Sequence, residues 1–188
     1  MCTFITAIVP AETALLQLRE LCGKHGFSAD PVDNASLRTL MPQGYQFLPV
    51  GGSCNCDTAL GFAHRPTSQS HDLEGDISKL KRKGWTAAKI ERWRKEKEQA
   101  RQQKQQQPYI ELRRWKDWIA EIVRAHSAKR LTIVLHFYKD GIDTDRIQIK
   151  RLEKIDVDTL NVDQLALLDW DVLYQFSRCS LSTSAPSA

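Results

Sequence analysis

No apolar run in the chain approaches the roughly 20 residues that a membrane-spanning helix requires. Its opening, MCTFITAIVP, has neither the basic region nor the small-residue cleavage site of a secretory signal. Glycine and proline are sparse, 9 and 7 of 188 residues, which excludes collagen-like and mucin-like sequence. Cysteine is scarce too. Five residues, at 2, 22, 54, 56 and 179, are too scattered and odd in number for the disulfide framework of a small secreted domain. Nucleophile-elbow, phosphate-loop, dinucleotide and paired-histidine zinc motifs are missing, as are internal repeats. What remains is a cytoplasmic protein with reduced thiols and no membrane partner.

With 41% hydrophobic and 27% charged residues, the composition is that of a globular chain rather than a disordered one. The length suits a single domain, or one domain carrying an appendage. The net charge of +4 conceals a division. Between Lys79 and Lys116 there are 14 Lys and Arg against 4 Glu, a local excess of ten positive charges, while the rest of the chain carries 13 basic and 19 acidic residues. An acidic body with a basic insert is an argument about partners and encounter rates, not about fold.

Hydrophobic patterning predicts an α+β fold, a mixed or antiparallel sheet with a basic helical hairpin inserted between N-terminal and C-terminal strands. Thr3 to Val9 reads as a buried strand. A helix over 11–25 follows, with Leu15, Leu18, Leu21 and Cys22 on one face and Gly26 as its stop. A helical turn is expected at 36–41 and a strand at 45–50, broken by Gly51 and Gly52. The polar stretch from His64 to Glu74 is the best internal boundary. Asp76 is read as the cap of a short helix ending at Gly84, and Thr86 as the cap of a longer one reaching about Lys104. The glutamine tract over 102–107 then separates that helix from another, which Pro108 opens and Leu112, Trp115, Ile119 and Ile122 stripe with apolar side chains. Arg130 to Tyr138 is the clearest strand, apolar on both faces. It is expected to form an antiparallel hairpin with 146–150. Asn161 caps a last helix with Leu165, Leu168 and Val172 inward. In domain terms, 1–178 is one domain, 76–126 its inserted helical region and 179–188 a disordered tail.

Two constellations point to chemistry. Cys22 and His25, one helical turn apart, together with Cys54 and Cys56 after the Gly-Gly turn, make a Cys3His donor set of the kind that holds structural zinc. A CxC pair is less diagnostic than CxxC, and Cys22 equally suits a core position. The same pair could serve as a reactive dithiol, although a single intervening residue strains a disulfide. Cys2 would resemble an N-terminal nucleophile once Met1 is removed, with the α-amine as base. His136, inside an apolar strand, reads as a hydrogen-bonded core residue. The turn carboxylates Asp140, Asp143 and Asp145 and the pair Asp156 and Asp158 read as solvated.

The second constellation is the basic segment. Lys81, Arg82, Lys83, Lys89, Arg92, Arg94 and Lys95 surround Trp85 and Trp93, a pattern that suits phosphates and stacked bases or an acidic protein. A solvated helix, with Glu91 paired to Lys95, uses the same residues. The leading functional expectation is an interaction protein contacting an acidic protein or nucleic acid through these residues. The alternative is a zinc-binding or thiol-based site built from Cys54 and Cys56, with Cys22, His25 or Cys2 as further members.

Overall fold

The structure, a computed structural model, describes residues 2–56, 58–62, 73–125 and 128–178, with the backbone alone over 73–76 and 100–106. The chain divides into two compact units, Met1–Ala63 with Glu111–Ala188, and His64–Ile110. In order, the elements are β1 (Cys2–Pro10), α1 (Leu15–Lys24), β2 (Asp30–Pro31), α2 (Ala35–Leu40), β3 (Gly44–Leu48), α3 (Ala59–Phe62), α4 (Leu73–Arg82), α5 (Ala87–Arg124), β4 (Arg130–Tyr138), β5 (Arg151–Asp156), α6 (Val162–Ala166) and β6 (Val172–Ser177). The first unit is α+β, built on a mixed sheet ordered β2-β3-β1-β4-β6-β5. All of its pairings are antiparallel except β5 with β6.

The two longest strands, β1 and β4, pair at the centre from Cys2↔Tyr138 to Ile8↔Thr132. Alternate residues of each face opposite ways, so both faces need apolar cover. On one face Ile5, Ala7, Val9, Leu131, Ile133 and Leu135 join Leu18 and Cys22 of α1, Leu165 of α6 and the last turns of α5 in the larger core. Trp115 and Trp118 are fully buried there, their rings edge to face with centroids 5.2 Å apart. An aromatic side chain removes ~150–250 Å² from water, at about 25 cal/mol per Å². Burial on that scale is why 111–124 groups with the sheet unit.

Three expectations are corrected. The glutamine tract does not divide the region into separate helices: α5 runs unbroken through it and through Pro108. Glutamine is a good helix former, and a missing N–H at one position does not end a helix anchored on a buried turn. Residues 146–150 form no strand with β4: β1 pairs along one edge, and on the other β6 takes Arg130 to Ile133 while the Asp171 N–H donates to the Leu135 carbonyl. Ile147 instead enters the smaller core, its N–H donating to Ser36 Oγ at 3.3 Å. The next strand, β5, pairs in parallel with β6. Finally, α6 is a short helix closed by an Asn161–Gln164 capping box, and Val172 opens β6 instead of extending it. Most of the expected boundary loop, and the expected tail at 179–188, lie outside the described residues.

The second face of the sheet is more polar, with Ile8, Leu37, Val134, Tyr138, Ile147 and Leu173 as its apolar cluster. Asn34, fully buried, organises it. Its Oδ1 accepts from the Ser36 and Leu37 N–H groups, capping α2, while its Nδ2 donates to the Ile142 and Asp145 carbonyls at 2.8 Å each. One side chain therefore starts a helix and pins the loop between β4 and β5. Nearby, His136 Nδ1 lies 2.6 Å from Asp171 Oδ1 and its Nε2 lies 3.6 Å from Asp145 Oδ2. Asp171 adopts a left-handed φ of 60°, and its own N–H and C=O are tied to Leu135 and Lys150.

Asn34→Ala is expected to cost on the order of 2 kcal/mol in urea unfolding, since it removes a cap and takes the donor from two half-buried carbonyls. Thr39→Ala, on the exposed side of α2, is expected to cost less than about 0.5 kcal/mol. A pH dependence follows from Tyr138, whose phenol shares a 2.8 Å hydrogen bond with Thr6. Burial pushes it from 10 up to about 12, the Thr6 bond opposing and Asp145, Asp143 and Asp171 adding. The folded state holds this proton more tightly than the unfolded one. Its contribution is therefore complete below pH 10 and is lost as pH rises towards 12. Urea midpoints measured across that range are expected to fall less steeply for Tyr138→Phe than for the parent.

Candidate functional site: a three-thiol cluster and a cationic helix

The pairing of β3 with β1 covers only Ala7 to Pro10 of β1. Beyond it the chain passes Pro49 and Val50, bends through Gly51, Gly52 and Ser53, and returns along the first half of β1. There Asn55 stands in for a strand. Its N–H donates to the Thr3 carbonyl at 3.0 Å, its Oδ1 accepts from the Ile5 N–H at 3.0 Å, and its Nδ2 donates to the Pro49 carbonyl at 3.3 Å. Asn55 is fully buried, so these partners replace the water that its amide has given up. The Asn55 carbonyl accepts from the Thr58 N–H and hydroxyl, which draws α3 against the segment. A Cβ at Gly61 would collide with that carbonyl, so the close approach requires glycine.

This docking brings the flanking thiols to the start of the chain. The Sγ atoms of Cys2, Cys54 and Cys56 all lie within 4.8 Å of one another, and all three residues are half-buried. Among the described residues they are the one group of three or more Cys, His, Asp or Glu side chains placed to share a metal ion. The Thr3 N–H donates to Cys56 Sγ at 3.2 Å. Desolvation is the largest single influence on the Cys56 thiol and raises it. That N–H and the neighbouring Cys54 and Cys2 thiols together bring it below its ordinary value. At Cys54 the Cys56 backbone N–H favours the thiolate, but donation to Cys56, desolvation and the neighbouring charges leave it raised. Of this pair Cys56 gives up its proton more readily than Cys54, and a bound cation would favour the thiolate form of both.

The structure does not bring Cys22 and His25 into this group. Cys22 sits in the main core with no exposure, and burial pushes its thiol up to about 11. His25 Nε2 lies 2.8 Å from Glu121 Oε2, while Lys24 takes the other oxygen at 2.6 Å. Lys24 and then His25 hold the Glu121 carboxyl below the usual carboxylate range. Of the residues weighed as companions of Cys54 and Cys56, Cys2 is the one that lies beside them, while Cys22 and His25 lie elsewhere. Asp158, read as solvated, pairs with Arg124 at 2.9 Å and with Arg178 at 3.5 Å. Cys179, His64 and His71 lie outside the described residues.

In the second unit, Gly84 ends α4 at a φ of 74°, with the Trp85 N–H donating back to the Leu80 carbonyl. Thr86 then caps α5, its Oγ1 accepting from the Lys89 N–H at 3.4 Å. Lys81, Arg82, Lys83, Lys89, Arg92, Arg94 and Lys95 are all exposed, and Trp85 and Trp93 are half-buried. Lys89 Nζ lies 4.0 Å from the centroid of Trp85, a cation–π contact.

A separate cleft of about 730 Å³ opens on the second face of the sheet between Met41, Leu173, Ile149, Arg130 and Arg151. No Cys, His, Asp or Glu lines it, and Arg151 is already engaged by Glu153 and Asp169. It offers volume without a reacting group.

Gly61→Ala is expected to push the 54–56 segment off β1 and scatter the thiols while the core stays folded. A thiol reagent added to the native protein checks this. In the parent, Cys22 is expected to react only on unfolding, and in Gly61→Ala the labelling rates of Cys54 and Cys56 are expected to change while Cys22 stays protected. No family model, curated protein or solved structure matches the chain.

Proposed function

We propose that the chain binds a thiophilic metal ion, zinc in the first instance, through Cys2, Cys54 and Cys56. The observation that carries this reading is the convergence of three half-buried sulfurs within 4.8 Å, held by a fully buried asparagine. Zinc–sulfur bonds of about 2.3 Å place tetrahedral ligands ~3.8 Å apart, so closure asks for rotamer adjustments and no backbone rearrangement. The three thiols lie outside both hydrophobic clusters. Metal there would clamp the 54–56 segment to β1 and would not build the core.

Cobalt(II) is the probe. The parent is expected to show thiolate-to-cobalt charge transfer that zinc abolishes. Cys2→Ser, Cys54→Ser and Cys56→Ser are each expected to weaken binding by more than the ~10–100-fold that follows loss of an outer-shell partner. Cys22→Ser is expected to leave the spectrum intact. A parent without charge transfer, or a Cys22→Ser variant that loses it, would overturn the reading.

A second reading is favoured by the exposure of Lys81, Arg82, Lys83, Lys89, Arg92, Arg94 and Lys95 together. The His64–Ile110 unit acts as a polyanion-binding surface for an acidic protein or nucleic acid. Its charge would set encounter rate and salt dependence.

A further inference from the structure

We infer that α5 presents a face over residues 89–97 that binds single-stranded nucleic acid, with Lys89, Arg94 and Lys97 on phosphates and Trp93 as the stacking platform. The inference rests on the second reading above and is independent of the thiol site.

An α-helix turns through about 100° per residue. Along the unbroken helix this gathers Lys89, Ile90, Trp93, Arg94 and Lys97 into one arc of about 140°. Glu91, Glu96 and Glu98 all fall outside it. Arg92 and Lys95 fall on the acidic side, where Glu96 and Glu91 stand four residues away and moderate their charge; Glu98 stands four residues from Arg94 at the arc's border, whereas Lys89 and Lys97 have no carboxylate three or four residues away. Over residues 89–98 the helix sorts the two signs, and the arc carries three cations and no carboxylate. Lys89, Arg94 and Lys97 are exposed, and they flank Ile90, which is buried.

Aromatic placement favours bases over a purely acidic partner. Trp93 is half-buried on the cationic arc, and Lys97 Nζ stands 5.9 Å from its centroid, at the outer limit of a cation–π contact. That ring is therefore not closed off by its own lysine, whereas Trp85 holds Lys89 at 4.0 Å and positions it. An acidic protein segment would need only the charges. An indole set among them adds a flat surface on which any unpaired base stacks. At the end of α4, Lys79, Arg82 and Lys83 line an open hollow of about 320 Å³, a second cationic feature of the same unit.

The test compares two variants of the full chain with the same change in charge, Arg94→Glu with Lys97→Glu on the arc and Arg92→Glu with Lys95→Glu off it. Fluorescence anisotropy against a labelled oligothymidylate over a salt series is the measurement. The arc variant is expected to lose most of the affinity and to flatten the log–log salt slope by about 1.4, the value for two single-strand phosphate contacts. The off-arc variant is expected to stay within about fivefold of the parent. Trp93→Ala is expected to lose about tenfold and Trp93→Phe less, because a phenyl ring still stacks. Equal losses in both charge variants would overturn the face, and tighter binding to a duplex than to the single strand would overturn the stacking role. If the parent ignores the oligonucleotide but binds poly-glutamate, the inference fails while the polyanion reading stands. If it binds neither, both fail.

Discussion

The antiparallel pairing of β1 with β4 is the constraint on which the rest of the sheet unit depends. It sets the first described residues of the chain against a strand that lies far along the sequence, through a register running from Cys2↔Tyr138 to Ile8↔Thr132. Because both faces of the pair are apolar, helices and loops must cover each side, and the two clusters are the result. β3 and β6 extend the sheet from its two outer edges. A one-residue slip would exchange Ile5, Ala7 and Val9 with Thr6 and Ile8 between the two cores.

The same pairing creates the thiol site as a by-product of its length. β1 is longer than the β3 ladder that flanks it, which leaves the Thr3 carbonyl and Ile5 N–H without a strand partner. Asn55 fills that gap with one backbone group and one side-chain amide, a solution open to asparagine because its carbonyl and NH2 can act on different neighbours. Residues immediately beside it then fall next to Cys2. The spacing of one residue between Cys54 and Cys56, weak support for a ligand pair when taken alone, follows from placing a thiol on either side of a docked asparagine.

Local signals in the sequence were legible. The strand at 130–138 appears with the boundaries its alternation predicts, and Thr86, Gly84 and Asn161 cap or stop helices because those roles depend on a few adjacent atoms. What escaped was long-range or cumulative. The parallel pairing of β5 with β6 cannot be read from either segment alone. The continuity of α5 through Pro108 reflects summed helix propensity and a distant buried turn, which a local break signal does not weigh. For the site, Cys54 and Cys56 were legible as candidates. Cys2 stood among their possible companions, but the choice of Cys2 over Cys22 and His25 depends on where a loop lies against β1. Burial of Cys22 at the helix face shared with Leu18 was foreshadowed by their spacing.

The two units pose separate questions, since the thiols sit at and beside the start of β1 in one and the sorted cations lie within residues 64–110 of the other. The central claim concerns the sulfurs, and X-ray absorption at the zinc edge of the zinc-loaded protein tests it most directly. The account predicts three zinc–sulfur scatterers at about 2.3 Å. A first shell made only of nitrogen and oxygen, or one that keeps three sulfurs after Cys2→Ser, would contradict it.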